Sequence, residues 1–590
     1  MTGKPIRSRR IAAGLLAAST LASASAAVAQ APAAPTREEL TQPETRATRP
    51  ANRGSRLLVE GEIERAPCPL AEPAYAGVTV NFSSVSFRNL PADLPIDLSK
   101  SWAGYAGRDL PIATLCEIRD RAATQLRLLG YVAAVQVPPQ RIEKGGEVQF
   151  DVLLARLVTV RLRGDTGHSA KLLERYLSRL TEQPIFNSIS TERDLMLTRS
   201  LPGYTVRLIL RPAGTKPGEV IGDVEVQRQP LDLQMAIHNM GSSAVGRTGV
   251  FASLRLNDLT GLGDSTRISL FNTVQTREQT VLQGEHDFAI GSQGLRFHGS
   301  LLHAWSKPDV SGAPFSARTL VGSLDASYPL ILRSGLAMRG EAGLDLVDQK
   351  VFFGSLPFSR DKLRVAYLRT DLEASERQRG VRTFSGPPRW AATASLELRK
   401  GLAGLGASPN CTTSPGSCAG LAAPTSRLDG DPEALVLRAS GRVDLNAARG
   451  ILISATPRAQ VANKPLLAFE QFSAGNYTTG RGFDPGALQG DDGVGVGLEL
   501  AFGNPVARSP RDLRLAPYLF YDTAWTWTKG ATVSFGSNHL HSAGVGMRGQ
   551  WGQRTRFDLT LAQPLDRTGL QTRTGDTRIL FTISTRLLPW

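Results

Sequence analysis

The chain has 590 residues, with 68 lysines and arginines against 53 aspartates and glutamates, a formal charge of +15, and 58 glycines. No apolar run approaches the ~18 residues that a membrane helix needs, which argues against a helical integral membrane protein. A membrane barrel is not excluded, because its signal is alternating strands of about ten residues, which overall hydropathy averages away.

Residues 1–29 read as an export signal: Lys4, Arg7, Arg9 and Arg10 precede the apolar stretch from Ile11 to Leu21, and Ala27-Val28-Ala29 offers a cleavage site before Gln30. Ile11-Ala12-Ala13 lacks the bulky follow-up of a twin-arginine signal, so general secretion is expected. Residues 30–76 are rich in Ala, Pro, Thr and Arg, the composition of a linker. Thr36-Arg37-Glu38-Glu39 spells a capping box for one short helix, but a flexible tether is favoured.

From Gly77 the pattern changes. Val78 to Phe87 alternates as a strand, and Leu115, Ile118, Ala122, Leu126 and Leu129 recur as the stripe of an amphipathic helix that Gly130-Tyr131 ends. A strand through Val137, a Lys144-Gly145-Gly146 turn and a strand from Glu147 to Leu157 complete the unit. A second copy follows: strand Leu157 to Leu162, helices marked by Leu172, Leu173, Tyr176, Leu177 and Leu180 and by Ile189 to Arg199, then strands Thr205 to Arg211 and Gly218 to Gln227. A pair of α+β domains binding nothing in particular is the plain reading. The element order also resembles the POTRA module, which implies two periplasmic domains, 77–157 and 158–228, binding polypeptide by strand addition at open sheet edges.

Over 229–590 sixteen alternating segments begin near Leu231, Thr248, Asp264, Gln279, Gly294, Arg318, Gly335, Asp361, Arg389, Glu433, Ile451, Gly493, Leu513, Asn538, Gln553 and Thr577. The seventh sets Leu336, Met338, Ala342, Leu344 and Leu346 against Arg339, Glu341 and Asp345, a pattern that a wet lumen tolerates and a packed soluble core does not. Even strand parity puts the connections after segments nine and eleven on the cell surface as loops five and six. Residues 377–388, after segment eight, are long for the short periplasmic turn expected there.

Loop six carries Gly480-Arg481-Gly482-Phe483, a permanent charge among glycines. By parity Gly493, Gly495, Gly497 and Glu499 of segment twelve face the lumen, as do Asp522 of segment thirteen and Ser542, Gly544, Gly546 and Arg548 of segment fourteen. Arg481 is therefore expected to reach Asp522 or Glu499, the inward glycines leaving room for the loop. In a wet lumen the loss of stability on breaking that pair is expected to be modest. Four cysteines suit an oxidising compartment, and sequence leaves three pairings open; Cys411 and Cys418 bracket a short polar segment, with Cys68 and Cys116 as the other candidates. His539 and His541 share a strand face and read as ordinary rim residues, so no metal site is expected.

Taken together, 77–590 resembles the two-partner secretion transporters (TpsB family, the haemolysin/haemagglutinin secretion-activation proteins), with Arg481, Gly482 and Phe483 matching the loop-six motif and Phe520-Tyr521-Asp522 the next-strand motif. Gly480 departs from the family's usual Val, and Ala524 stands where a Gly often follows the Asp. The resemblance implies a membrane all-β fold, a 16-stranded transmembrane β-barrel preceded by two small α+β POTRA domains, with the possibility that the helix in 30–76 plugs the pore. It implies a Gram-negative outer-membrane location and a large secreted exoprotein threaded unfolded through a monomeric pore about 30 Å across, too narrow for a folded domain. An outer-membrane insertase is the alternative, and a passive porin the weaker one, since a porin has no use for POTRA modules. No enzyme activity, nucleotide loop or cofactor is expected; Gly263-Asp264-Ser265 lies in a turn with no His/Asp set assignable around it. The positive charge is assigned to lumen and lipopolysaccharide contacts rather than to nucleic acid.

Overall fold

The computed structural model describes residues 34–41, 57–59 and 68–588, apart from 93, 95, 275–277, 311, 377–387, 412–417, 419–420, 531–537 and 569–573. The export signal and nearly all of 377–388 lie outside the described residues.

Sixteen antiparallel strands close into a barrel, the first, Leu231–His238, pairing with the last, Arg578–Leu588. A two-residue strand, Asp309–Val310, folds onto strand six (Ala313–Arg333) as a hairpin and adds nothing to the count. Closure removes the exposed edges that an open sheet would present. The alternation read from sequence is real in space. On the outside, Leu324 is 67% and Leu368 62% exposed, positions that make sense only against lipid. On the inside, Glu341 of strand seven (Leu336–Phe353) accepts from Arg369 of strand eight (Leu356–Ser375) at 2.6 Å.

Two α+β modules precede the barrel. In the first, Phe82–Arg88 runs parallel to Gly146–Leu154, which pairs antiparallel with Ala133–Gln136. Leu115, Ile118, Ala122 and Leu126 of the helix Thr114–Leu128 are buried against that sheet, as a stripe at spacings of three and four requires. The second module has strands Arg156–Gly164, Tyr204–Pro212 and Glu219–Arg228 behind helices Ala170–Ser178 and Glu192–Arg199. Its edge is not open as expected. Leu57–Val59 pairs parallel with Tyr204–Pro212, Leu58 opposite Ile209, so the chain's own upstream segment covers that side.

The tether reading also needs correction at residues 34–41. Arg37–Thr41, here α1, is a helix lodged in the lumen. The capping box is formed: Thr36 N–H donates to Glu39 Oε2 at 2.7 Å and Glu39 N–H to Thr36 Oγ1 at 3.3 Å. Leu40, 1% exposed, sits among Phe251, Phe271, Leu302, Val347, Leu363, Leu467 and Phe469, an apolar layer inside the barrel that alternation alone did not suggest. Polar contacts orient α1: Arg458 Nη2 and Ser473 Oγ donate to Glu38 at 3.2 and 2.9 Å, and Gln349 Nε2 donates to the Pro35 carbonyl at 3.2 Å.

The second module is seated on the barrel. Asp258, 1% exposed in the turn after strand two (Gly249–Asn257), accepts from His168 N–H at 2.7 Å and from the Ser169 hydroxyl, and Ser169 Oγ accepts from Gly263 N–H at 2.8 Å. Asp264 of the Gly263-Asp264-Ser265 tripeptide uses its carboxylate to hold the turn, accepting from Leu259 N–H at 3.0 Å and Thr260 N–H at 2.9 Å.

Candidate functional site

Loop six spans 463–491, between strands eleven (Ile451–Ala462) and twelve (Asp492–Phe502). It folds into the barrel as a hairpin, Phe472–Ala474 pairing with Leu488–Gly490, and its tip carries Arg481. Strand thirteen is Leu513–Trp527 and fourteen His539–Trp551.

Arg481 engages both acids named from parity. Its Nε donates to Asp522 Oδ2 at 2.9 Å and its Nη2 to Oδ1 at 2.8 Å, the two-pronged geometry that only a guanidinium offers. Its backbone N–H also donates to Asp522 Oδ2 at 2.9 Å, and Nη1 donates to Glu499 Oε2 at 3.1 Å. The guanidinium lies 3.7 Å from the centroid of the Phe520 ring. Burial works against the arginine's charge, but Asp522, followed by Glu499, reverses this and raises its pKa above the ordinary arginine value. The charges continue across the wall: Arg548 of strand fourteen donates to Glu499 Oε1 at 2.9 Å and to Asp558 of strand fifteen (Thr555–Pro564) at 2.9 Å, and Tyr518 O–H donates to Asp558 at 2.6 Å.

The wet site expected from sequence is in fact dry. Side-chain exposure is 11% at Arg481, 3% at Asp522 and 11% at Glu499. The loop itself excludes water here, as Phe483 packs with Phe472, Ala474, Leu488, Ala524 and Leu540. Breaking the pair therefore strands a buried charge and is not a modest loss.

The inward glycines are close-packing positions. A Cβ at Gly493 would lie 2.3 Å from the Phe472 ring of the loop, and at Gly495 it would meet Thr479 at 3.3 Å. At Gly497 it would crowd Thr456 and Asp522, while at Gly544 and Gly546 it would strike the rings of Phe520 and Tyr518 from the neighbouring strand. A Cβ at Gly482 would lie 2.9 Å from Ser542 Cβ. Gly480 has φ +120°, and a side chain there would meet Leu540 Cδ1 at 2.7 Å, so Leu540 occupies the space that a valine would need. Ala524 is fully buried in the apolar cluster under the loop.

Three further anchors escaped the sequence reading. Glu470, in the loop's stem, accepts from Arg399 Nε at 3.0 Å and Nη2 at 2.9 Å, and from Arg438 at 2.9 Å. Arg399 is 1% exposed and also meets Asp345 and Glu397. At the other stem, Asp491 accepts from Arg427 at 2.7 Å and from Leu466 N–H at 2.8 Å. Asp484 accepts from Arg247 at 2.8 Å and pairs with Arg578 at 2.9 Å, tying the loop to both sides of the seam between strands one and sixteen. Asp484 and Asp491 stand inside the glycine-rich motif, but nothing local says which arginine each will meet. Disulfides join Cys68 to Cys116 and Cys411 to Cys418.

Residues 372–549, strands eight to fourteen with loop six between them, match the family model "Haemolysin secretion/activation protein ShlB/FhaC/HecB". The heme/hemopexin transporter protein HuxB of Haemophilus influenzae (strain 86-028NP) is 26% identical over 186 residues, which is 30% of this chain and 32% of HuxB, so the match spans about a third of that relative. Among solved structures, CdiB from Escherichia coli superposes with TM-score 0.63 at 16% identity, over 88% of this chain and 94% of that one. CdiB from Acinetobacter baumannii gives 0.56 at 17% identity, over 99% and 100%. BamA from Haemophilus ducreyi lacking POTRA domains 1–3 gives 0.52 at 14%, over 86% and 100%. The structural neighbours establish the fold, and the family model falls on the segment that holds the Arg481–Asp522 site. Residues 372–549 are thus similar to the secretion/activation proteins of the ShlB/FhaC/HecB type, and the chain shares its fold with the CdiB and BamA barrels.

Proposed function

We propose that this outer-membrane protein exports a large exoprotein, taking it unfolded at the periplasmic modules and passing it through the barrel to the cell surface, with Arg481 holding loop six as part of the channel wall. The observation that carries this reading is a closed barrel whose lumen is filled by two elements of very unequal attachment. Loop six is fixed by buried ion pairs at its tip and at both stems. Helix α1 is held by Leu40, on the order of 2 kcal/mol, and by ion pairs of Glu38 with Arg458 and Arg37 with Glu397 that are more exposed than those of the loop. Cargo entry would displace α1 first and leave loop six in place. An extended chain offers the right cross-section for the space vacated, and cargo folding outside would supply direction without any nucleotide site.

Strand addition remains the proposed mode of recognition, at the edges of the first module and at Arg156–Gly164 of the second, since Leu57–Val59 covers the other edge. A self-closed barrel suits a monomeric pore, and the exposed leucine belt suits lipid and lipopolysaccharide as its surroundings. Deleting the protein and comparing surface and periplasmic proteins tests the function. Loss of one large surface protein is the expected result, whereas broad loss of other barrels would replace this reading with insertion. Deleting 77–228 should abolish export while the barrel still assembles and conducts; undiminished export would refute the receptor role of the modules.

A further inference from the structure

We propose that His539, His541 and Asp566 form a binding site for a divalent transition-metal ion of the zinc class on the outer rim of the barrel, at its cell-surface end. The two histidines stand on one face at the start of strand fourteen, and Asp566 follows strand fifteen, so hairpin register brings a third donor beside a His-x-His pair. Their donor atoms all lie within 4.8 Å of one another. Tetrahedral zinc, with bonds of about 2.0–2.1 Å, sets its ligand atoms roughly 3.4 Å apart, so side-chain rotations of about 1 Å complete the set.

Three further observations favour a ligand over an idle cluster. His541 Nε2 and Asp566 Oδ2 are 3.9 Å apart, too far for a hydrogen bond and close to the spacing across a shared ion. Asp566 Oδ2 is a buried atom with no hydrogen-bond partner among the described residues, an acceptor that an ion would satisfy. Tyr521 O–H lies 2.9 Å from His541 Nδ1, and the Trp525 ring meets that imidazole edge-on at 5.3 Å. With Nδ1–H donating to the tyrosine oxygen, the Nε2 lone pair points to Asp566, the arrangement by which an outer partner orients a metal-bound histidine. Two imidazoles and one carboxylate suit Zn²⁺, Ni²⁺ or Cu²⁺ rather than Ca²⁺ or Mg²⁺, and leave a fourth position for water. The ion would cross-link strand fourteen to the connection beyond strand fifteen.

The test uses the full-length protein in detergent, purified without a polyhistidine tag and stripped with chelator. Zn²⁺ is titrated calorimetrically and Co²⁺ by visible absorption. The expected result is one saturable equivalent with the bands of tetrahedral Co²⁺, lost in His539→Ala and His541→Ala and weakened about tenfold in Tyr521→Phe. Folding of each variant is checked by heat-modifiable gel mobility. Absence of saturable binding by the wild-type chain, or uptake undiminished in both histidine variants, overturns the site. Should a histidine variant fail to assemble, Asp566→Asn, which lies outside the strands, decides: reduced Zn²⁺ affinity supports the site, and unchanged affinity overturns it.

Discussion

Arg481→Ala removes three side-chain hydrogen bonds and the stacking on Phe520 from a site that is nearly closed to water. Truncating one partner of a buried ion pair costs about 3–5 kcal/mol. Two groups soften the loss: Asp522 keeps the residue-481 N–H at 2.9 Å, and Glu499 keeps Arg548 at 2.9 Å. The lower end, about 3 kcal/mol, is therefore expected, and it lowers the ratio of docked to released loop by about 100-fold. Amide hydrogen exchange over 475–487 reads this directly, since protection tracks the free energy of local opening. Arg481→Lys should recover only part of the protection, because an ammonium cannot span both oxygens of Asp522. Exchanging the charges, Arg481→Asp with Asp522→Arg, should rescue poorly as well, because the new aspartate would face Glu499. A double-mutant cycle of Arg481→Ala with Asp522→Ala should return a coupling above about 1 kcal/mol. Exchange in Arg481→Ala within threefold of wild type would refute the lock. Wild-type export by a variant whose loop is demonstrably loose would refute its role in transport.

Helix α1 should respond to pH through Glu39, whose pKa burial lifts from 4.5 to about 7. Because the docked value is the higher one, docking is strongest below 4.5 and weakens as pH rises through 7, by about 3 kcal/mol in all. Conductance in planar bilayers should rise over that window, and Glu39→Gln should flatten the rise and keep the pore quieter at pH 8; an identical pH profile in both proteins refutes the assignment. Asp258→Ala should free the second module from the barrel by about 3 kcal/mol, seen as faster proteolysis between 157 and 265 with the barrel's heat modifiability intact, and equal cleavage rates refute that attachment. Replacing Cys68 and Cys116 by serine opens a link across 48 residues and should lower the first module's stability by roughly 3–4 kcal/mol; an unchanged urea midpoint for that module would count against it.

Alternation with period two, punctuated by turns, is a local property of strands, so strand number and inward and outward faces were legible from sequence. Parity turned Asp522 and Glu499 inward, and the glycine-rich motif of loop six singled out Arg481 as the charge to meet them. The capping box at Thr36 and Glu39 was legible for the same local reason. What lies inside the barrel was not. Whether a lumen is wet depends on which segments fold back into it, and neither the burial of α1 nor the sealing of Arg481 beneath Phe483 leaves a periodic trace. The partners of Glu470, Asp484 and Asp491 lie in strands or loops far along the chain or across the barrel seam, and are set by closure and stagger rather than by spacing. The His-x-His pair could be read from two residues, but Asp566 reaches it only through the register of strands fourteen and fifteen. Sequence thus determined which side of the wall each residue faces, and tertiary structure decided which residues meet there, because facing follows from local geometry and meeting follows from the closed path of the whole chain.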